Sequence, residues 1–434
     1  MTADPFSVAD AAMRLVEDLY PICRSITGDG VRESLRLITE VVPLEIHEIP
    51  SGTPVLDWTI PPEWNVRDAY IADAGSGERV IDFRSNNLHI VSYSEPISAR
   101  MTLDELRPHL HTLPDQPEAV PYRTSYYTRA WGFCLSQQDL DNLPDGDYDV
   151  MIDSSLEPGS LTYGEAIVPG ATEREILVSS HVCHPSLADD NLSGIAVAAL
   201  LARRLLEGPQ LRHTVRFIFA PGTIGTIAWL DGHRDELSRI AAGLTLTCLG
   251  DDHDFTYKRT VTGDALVDQA ASIVLRDRQI AHQMTDFSPY GYDERQYNSP
   301  GFRVPVGSLM RGRHGTFPEY HTSLDNLLFV SGERMAESLD VVAGIVEAID
   351  KNRALRNLEP FGEPQLGARG LYGALGGTTI ADAQLAMLWV LNLSDGEHSL
   401  LDIAARSGLS FESVEATALL LEDHGLLGPA LART

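Results

Sequence analysis

Apolar residues recur along this chain with two different periods, and the switches between them divide it. Residues 7–20 and 30–41 carry apolar positions three and four apart, predicting two helices split by the turn-rich CRSITGDG. A short strand, LEIHEI, follows. From about 53 to 120 the runs become short and β-like: DWTIPPEWNVRDAYI, ERVIDF, LHIVSYS and EAVPYRTSYY, punctuated by Pro, Gly and Asn. This segment reads as a small β-rich insertion.

Beyond about residue 125 the two periods alternate. DYDVMID, SLTYGEAIV, EILVSSH, TVRFIFA and AAGLTLTCLG are strand-length apolar runs, with helical stretches such as IAVAALLARRLLE and TIAWLDGHRDELSRIA among them. Alternation of this kind predicts an α/β sheet whose ligands gather at the carboxyl ends of its strands. An amphipathic helix over 332–352 closes that domain. After Pro360 comes a glycine-rich linker, EPFGEPQLGARGLYGALGG. AQLAMLWVLN, SLLDIAARSG and SFESVEATALLLEDHGLL then give three helical segments with tight turns, the pattern of a winged-helix or helix-turn-helix module. The expected layout is an α/β domain from 1–52 and 121–356, an insertion at 53–120 and a winged-helix-like module at 357–434.

Charge narrows the partners. With 62 Asp+Glu against 33 Lys+Arg, the net charge is −29, which repels nucleic acid and anionic membranes. Residues 361–434 hold nine acids and three arginines, so the module is expected to pack or to mediate association, homo-oligomers included, rather than to read DNA. No apolar run reaches the 18 residues of a membrane span. The first twenty residues carry acids where a signal peptide carries basic residues, so a cytoplasmic location is expected. Cys23, Cys134, Cys183 and Cys248 lie far apart without a CxxC, which argues against a disulfide framework or a zinc knuckle.

Candidate chemistry concentrates in four stretches. ILVSSHVCHPSLADDNLSGIAVA (176–198) sets His181 at the end of a strand and Asp190 before a helix. GDDHD (250–254), GYDERQY (291–297) and EYHTSLDN (319–326) add Asp251, Asp252, Asp293, Glu294, Tyr320 and His321. Neutral imidazole with carboxylate is the ligand set of zinc, and one carboxylate can bridge two ions. Taken singly, His181 also suits a hydrogen-bonded strand end, DDHD a solvated loop, and His321 a position beside a helix cap formed by Thr322 or Ser323.

The order SSH…DDNLSG…GDD…YHTSLDN resembles the zinc aminopeptidases of the co-catalytic exopeptidase clan, of the bacterial leucyl aminopeptidase type. The resemblance is closer to bacterial aminopeptidase-like proteins that carry an inserted β domain and a C-terminal winged helix. LYPICRSITGDGVRESL, DWTIPPEWNVRDAYI, PYRTSYYTRAWGFCLS, SSHVCHPSLADDNLSG and PVGSLMR…YHTSLDN extend it along nearly the whole chain. It implies a zinc-exopeptidase-like mixed sheet flanked by helices. It also implies that His181 matches the first histidine ligand, Asp190 the bridging aspartate, Asp251 or Asp252 the next carboxylate, and His321 the last histidine.

Two departures qualify the likeness. The position two after His181, an aspartate in aminopeptidases, is Cys183, followed by His184 as a group that supports a ligand or as a ligand itself. The Glu-Glu that supplies the general base and a further ligand is replaced by Gly222 and Thr223 in PGTIGT. Glycine moves no proton, and losing a general base typically costs about 10²–10⁴-fold. One zinc ion rather than two is therefore expected. Glu294, His184, Asp293 and Asp189 are the candidates for the missing base, Glu294 first, with an ion pair to Arg295 or Arg303 as its alternative role. Arg311, Asp293 and Tyr320 are candidates for contacting substrate, with an ion pair as the alternative role of Arg311. The expected activity is hydrolysis of an amide next to a free amine in a small peptide or aminoacyl metabolite. The alternatives are a pseudo-peptidase that only binds and a related acyl-transfer enzyme of biosynthesis.

Overall fold

The computed structural model describes residues 7–371 and 382–430. They fall into two compact units, 7–263 with 283–340, and 264–282 with 341–371 and 382–430. The first unit is built on an eight-stranded mixed sheet. Across it the strands run Glu45–Pro50, Ser160–Val168, His213–Ala220 and Thr172–His181, then Ile240–Leu246, Val306–Met310, Phe255–Lys258 and His282–Thr285.

The four central strands, from His213–Ala220 to Val306–Met310, are mutually parallel, and the neighbours that pair with them at either side are antiparallel. A parallel centre is covered on both faces, which explains why its strands are continuous apolar runs. Ile176, Leu177, Val178, Val215, Phe217, Ile218 and Phe219 are all buried. The helix Gly194–Glu207, whose residues from Gly194 to Ala202 are all buried, packs on this centre. Parallel strands end together, so the residues that follow them, His181, Pro221–Gly222, Thr247 and Arg311, emerge along one edge of the sheet.

The N-terminal helices are Val8–Leu19 and Asp29–Val41. The first is fixed by a capping box in which Ser7 Oγ accepts from Asp10 N at 3.1 Å while the Asp10 carboxylate accepts from Ser7 N. A second, four-stranded antiparallel sheet runs Arg79–Asp82, Glu63–Asp73, Asp147–Glu157 and Ile97–Thr102, around Ala69, Ile71, Ile81, Val150 and Ile152. Its strand Asp147–Glu157 lies beyond the 53–120 segment in sequence and leads within three residues into Ser160–Val168 of the large sheet.

Some elements differ from the sequence pattern. TIAWLDGHRDELSRIA is one continuous helical run in sequence. In the structure the helix is Ile224–Gly232, and only a 3₁₀ turn, Leu237–Arg239, follows. Glycine at 232 carries the backbone-entropy penalty of a helix breaker, which sets the stop. Phe255–Lys258, His282–Thr285 and Val306–Met310 are strands of four or five residues, too short to show a period.

In the second unit, helices Asp382–Leu393, Leu400–Ser407 and Phe411–Asp423 accompany a three-stranded sheet ordered Asp395–Ser399, Ala354–Asn357, Leu427–Pro429. Three helices with such a sheet are a winged-helix arrangement, and its first strand starts a little before 357. Part of the glycine-rich linker, 372–381, lies outside the described residues. All four cysteines are free thiols. Among the described residues no helix is long and apolar enough to cross a membrane.

One buried ionic cluster ties the sheet together. Arg216 Nη1 donates to Glu165 Oε1 at 2.6 Å, and its Nε donates to Glu175 Oε2 at 2.7 Å, so the guanidinium joins three neighbouring strands. All three side chains are less than a tenth exposed. Arg216→Met should leave two buried carboxylates unpaired and destabilise the fold by about 3–5 kcal/mol. A urea midpoint unchanged from the parent protein would contradict this.

Candidate metal centre

His181 is the last residue of its strand, and its ring is buried. Asp190 lies in the irregular turn leading into the helix Gly194–Glu207. That turn is held by its own sequence and by YHTSLDN. Asp325 accepts through Oδ1 from the backbone N–H of Asp189 at 2.6 Å and through Oδ2 from that of Asp190 at 2.9 Å. Asn191 Nδ2 donates to Ser180 Oγ, to the His181 carbonyl and to the Leu246 carbonyl, fastening the turn to two strand ends.

The Asp190 carboxylate faces one imidazole with each oxygen. His181 Nε2 is 3.0 Å from Oδ1, and His321 Nε2 is 2.9 Å from Oδ2. The first contact is a hydrogen bond. The second lacks hydrogen-bond geometry, so Asp190 Oδ2 and His321 Nε2 are buried atoms without a hydrogen-bond partner. The ligand atoms of His181, His184 and Asp190 all lie within 4.8 Å of one another. The His184 ring centre is 4.9 Å from that of His181 and 5.2 Å from that of His321.

Protonation states suit a cation here. Burial works to raise the Asp190 carboxyl, but His184, His181 and His321 outweigh it and hold it well below the usual carboxylate range. Burial holds His184 well below the usual imidazole range, so the ring is neutral. A neutral His184 imidazole beside an ionised carboxylate suits zinc binding, and the unpartnered Asp190 Oδ2 and His321 Nε2 are atoms that an ion would satisfy. The residues fit the metal.

His184 is itself anchored from the N-terminal region. Arg24, of the CRSITGDG turn, is buried, and burial lowers its guanidinium to about 10. It donates to the His184 carbonyl at 3.0 Å and to Ser34 Oγ at 2.9 Å.

The space over Gly222 is filled, not empty. A Cβ built on Gly222 would collide with Cε1 of Tyr292 and lie 2.6 Å from Cζ. Tyr292 Oη donates to the Gly222 carbonyl at 3.2 Å and lies 3.2 Å from Cys183 Sγ, whose other neighbour is His184 Nδ1 at 3.3 Å. Burial pushes the Cys183 thiol up to about 12, so it is a neutral filler rather than a nucleophile. Beside these groups opens a cleft of about 340 Å³, lined in part by His184, His321, Gly222, Tyr292 and Tyr122.

Several sequence-predicted residues stand elsewhere. Asp251 is fully buried, but its Oδ1 accepts from His253 N and its Oδ2 from Gly312 N at 3.0 Å, so it braces a loop. Asp252 is exposed and pairs with Arg334 at 2.7 Å. The end of the Ile240–Leu246 strand carries Thr247, whose Oγ1 is 3.3 Å from His314 Nε2. Glu294 is buried and pairs with Lys258, not with Arg295 or Arg303, at 2.7 Å, which leaves it unsuited as a base. Asp189 accepts from Gly250 N at 2.8 Å, within the same turn. Asp293 is buried, and burial raises its carboxyl to about 7, against an opposing electrostatic effect of nearby His181. Arg311 is buried over the Phe255 ring and donates to Ser338, His253 and Glu337, so it supports the loop and does not line the cleft. Tyr320 stacks on His321, ring centres 4.0 Å apart, and orients it.

The residues that the motifs did not single out are Arg24, Tyr122, Tyr292, Thr247, His314 and Asp325. Asp325 and Tyr292 lie inside YHTSLDN and GYDERQY, two of the four stretches that concentrate the candidate chemistry.

Residues 13–352 match the family model described as a domain of unknown function, DUF4910, and residues 353–429 match a winged helix-turn-helix model. A Clostridium acetobutylicum protein described as a "putative polysaccharide biosynthesis protein with aminopeptidase-like domain" is 50% identical over 405 residues, covering 93% of each chain. The crystal structure of a "putative peptidase" from Clostridium acetobutylicum superposes with a TM-score of 0.92 at 48% identity, over 97% of this chain and 96% of that one. A zinc aminopeptidase from Bacillus subtilis shares the fold at a TM-score of 0.56 and 16% identity, over 79% of this chain and 94% of its own.

Gly222→Glu should not simply restore an aminopeptidase base. The new side chain overpacks Tyr292, and the variant should lose about 1–3 kcal/mol of stability. The double variant with Tyr292→Ala should recover much of that loss. Full stability of the single variant in thermal unfolding would show that the ring does not occupy the position.

Proposed function

The chain belongs to the DUF4910 family, and on that premise we propose that it is a zinc-dependent, aminopeptidase-like hydrolase of a small peptide or aminoacyl substrate. The observation that carries this reading is the buried Asp190 carboxylate with an imidazole at each oxygen, one of them unpartnered. One zinc ion would be held by His181, Asp190 and His321, leaving a coordination position for a ligand. Bound there, zinc polarises a carbonyl oxygen and lowers the pKa of water.

The chain's own residues then divide the remaining work. In hydrolysis a water oxygen joins the carbonyl carbon, the C–N bond breaks, and a proton passes to the leaving nitrogen. His184 is placed to carry that proton. Its ring lines the cleft, burial keeps it neutral, and Cys183 at Nδ1 together with Arg24 at its carbonyl fixes its orientation. The Tyr292 hydroxyl, kept un-ionised by burial, donates to the Gly222 carbonyl and holds the cleft wall beside His184 in place. The small cleft favours a small substrate, and an amide next to a free amine suits an aminopeptidase-like fold.

A second reading rests on the Tyr292 ring in the base position: a protein that binds metal and ligand without turnover. Elemental analysis with kinetics separates the two. The hydrolase reading expects about one zinc per chain, lost in His181→Ala. It expects His184→Ala to keep the zinc while cleavage of leucyl-alanine falls about 10²–10⁴-fold. Zinc binding with no cleavage of any aminoacyl amide would favour the binding protein, and no zinc under replete conditions would sink both.

A further inference from the structure

Opposite in charge to everything expected of an amine pocket, the cleft beside His184 and His321 holds one cation and no acid. Among the described residues no aspartate or glutamate lines it, whereas Arg295 does. Arg295 is exposed and has no salt bridge among the described residues, although its charge acts on the neighbouring buried Asp293 carboxyl. Arg216, Arg311 and Arg334, by contrast, are each paired with a carboxylate. In a chain of net charge −29, an arginine left unpaired in a cleft is a site of local positive potential for an anion. Its planar fork of donors suits a carboxylate in particular.

The rest of the wall limits size and character. Ile224 and Ile227 give an apolar side, and Trp58 and Tyr127, ring centres 5.3 Å apart, give an exposed aromatic rim. The volume of about 340 Å³ lies at the lower end of the roughly 300–1,000 Å³ typical of small-molecule sites.

We propose that Arg295 binds a free carboxylate at the end of the substrate away from the scissile amide, so that the cleft selects dipeptide-sized zwitterions over amidated or longer peptides. This assignment of substrate class rests on the hydrolase reading of the same cleft. Arg295 is a specificity-determining residue in it, and the metal ligands are untouched by its replacement.

The test is calorimetric binding of leucyl-alanine and of leucyl-alaninamide to the zinc-loaded protein, its Arg295→Gln variant and its Arg295→Lys variant. The parent protein should bind leucyl-alanine roughly tenfold more tightly than the amide. Arg295→Gln should remove that difference by weakening the dipeptide alone, and Arg295→Lys should restore part of it. Equal affinity for the two probes in the parent protein, a difference that survives in Arg295→Gln, or no measurable binding of either probe overturns the assignment. Hydrolysis of both probes is followed in parallel. Discrimination without turnover overturns the hydrolase reading alone, while turnover without discrimination overturns the Arg295 assignment alone.

Discussion

The structure depends on keeping one carboxylate ionised in a place where burial opposes it. Asp190 is almost wholly buried, yet His181, His184 and His321 hold its carboxyl well below the usual range. A buried charge is tolerated only when it is paired and hydrogen-bonded. Much of the surrounding architecture serves that end. The parallel strands bring His181 out beside Leu246, Asn191 ties the turn to both strand ends, and Asp325 takes the two backbone N–H groups that precede the side chain. The N-terminal turn contributes as well, through Arg24 and the His184 carbonyl.

Around that fixed point neutral groups are packed together. Gly222, which has no side chain, leaves room, and the Tyr292 ring takes it. Cys183 contacts both the Tyr292 hydroxyl and His184. Thr247, at the end of the next strand, faces His314. Tyr292, Cys183 and His184 are thus packed against one another. This mutual packing is why an acidic side chain introduced at Gly222 alone finds no room.

The sequence made part of this legible. His181, Asp190 and His321 stand in motifs whose spacing reflects strand ends and a helix start, and the structure brings all three together. The central strands were readable because a doubly covered parallel sheet demands unbroken apolar runs. Asp251 and Asp252 were not distinguishable from ligands, since GDD looks the same whether its oxygens face a cluster, a backbone N–H or Arg334. Glu294 looked available because its partner, Lys258, is 36 residues away in sequence. Tyr292 stands inside GYDERQY, but that its ring fills the space over Gly222 is a contact between two loops, which no local pattern encodes. The winged-helix pattern of the last segment was clear from its three helices, and the strands that accompany them were too short to show.

The claim on which the rest turns is that Asp190 is a metal ligand rather than the centre of a purely hydrogen-bonded histidine cluster. Diffraction from zinc-soaked crystals, recorded on both sides of the zinc absorption edge, addresses it directly. One anomalous peak at about 2.0–2.2 Å from an Asp190 oxygen and from the imidazole nitrogens of His181 and His321 is the expected result. Ordered density for the three side chains with no anomalous peak among them would contradict it.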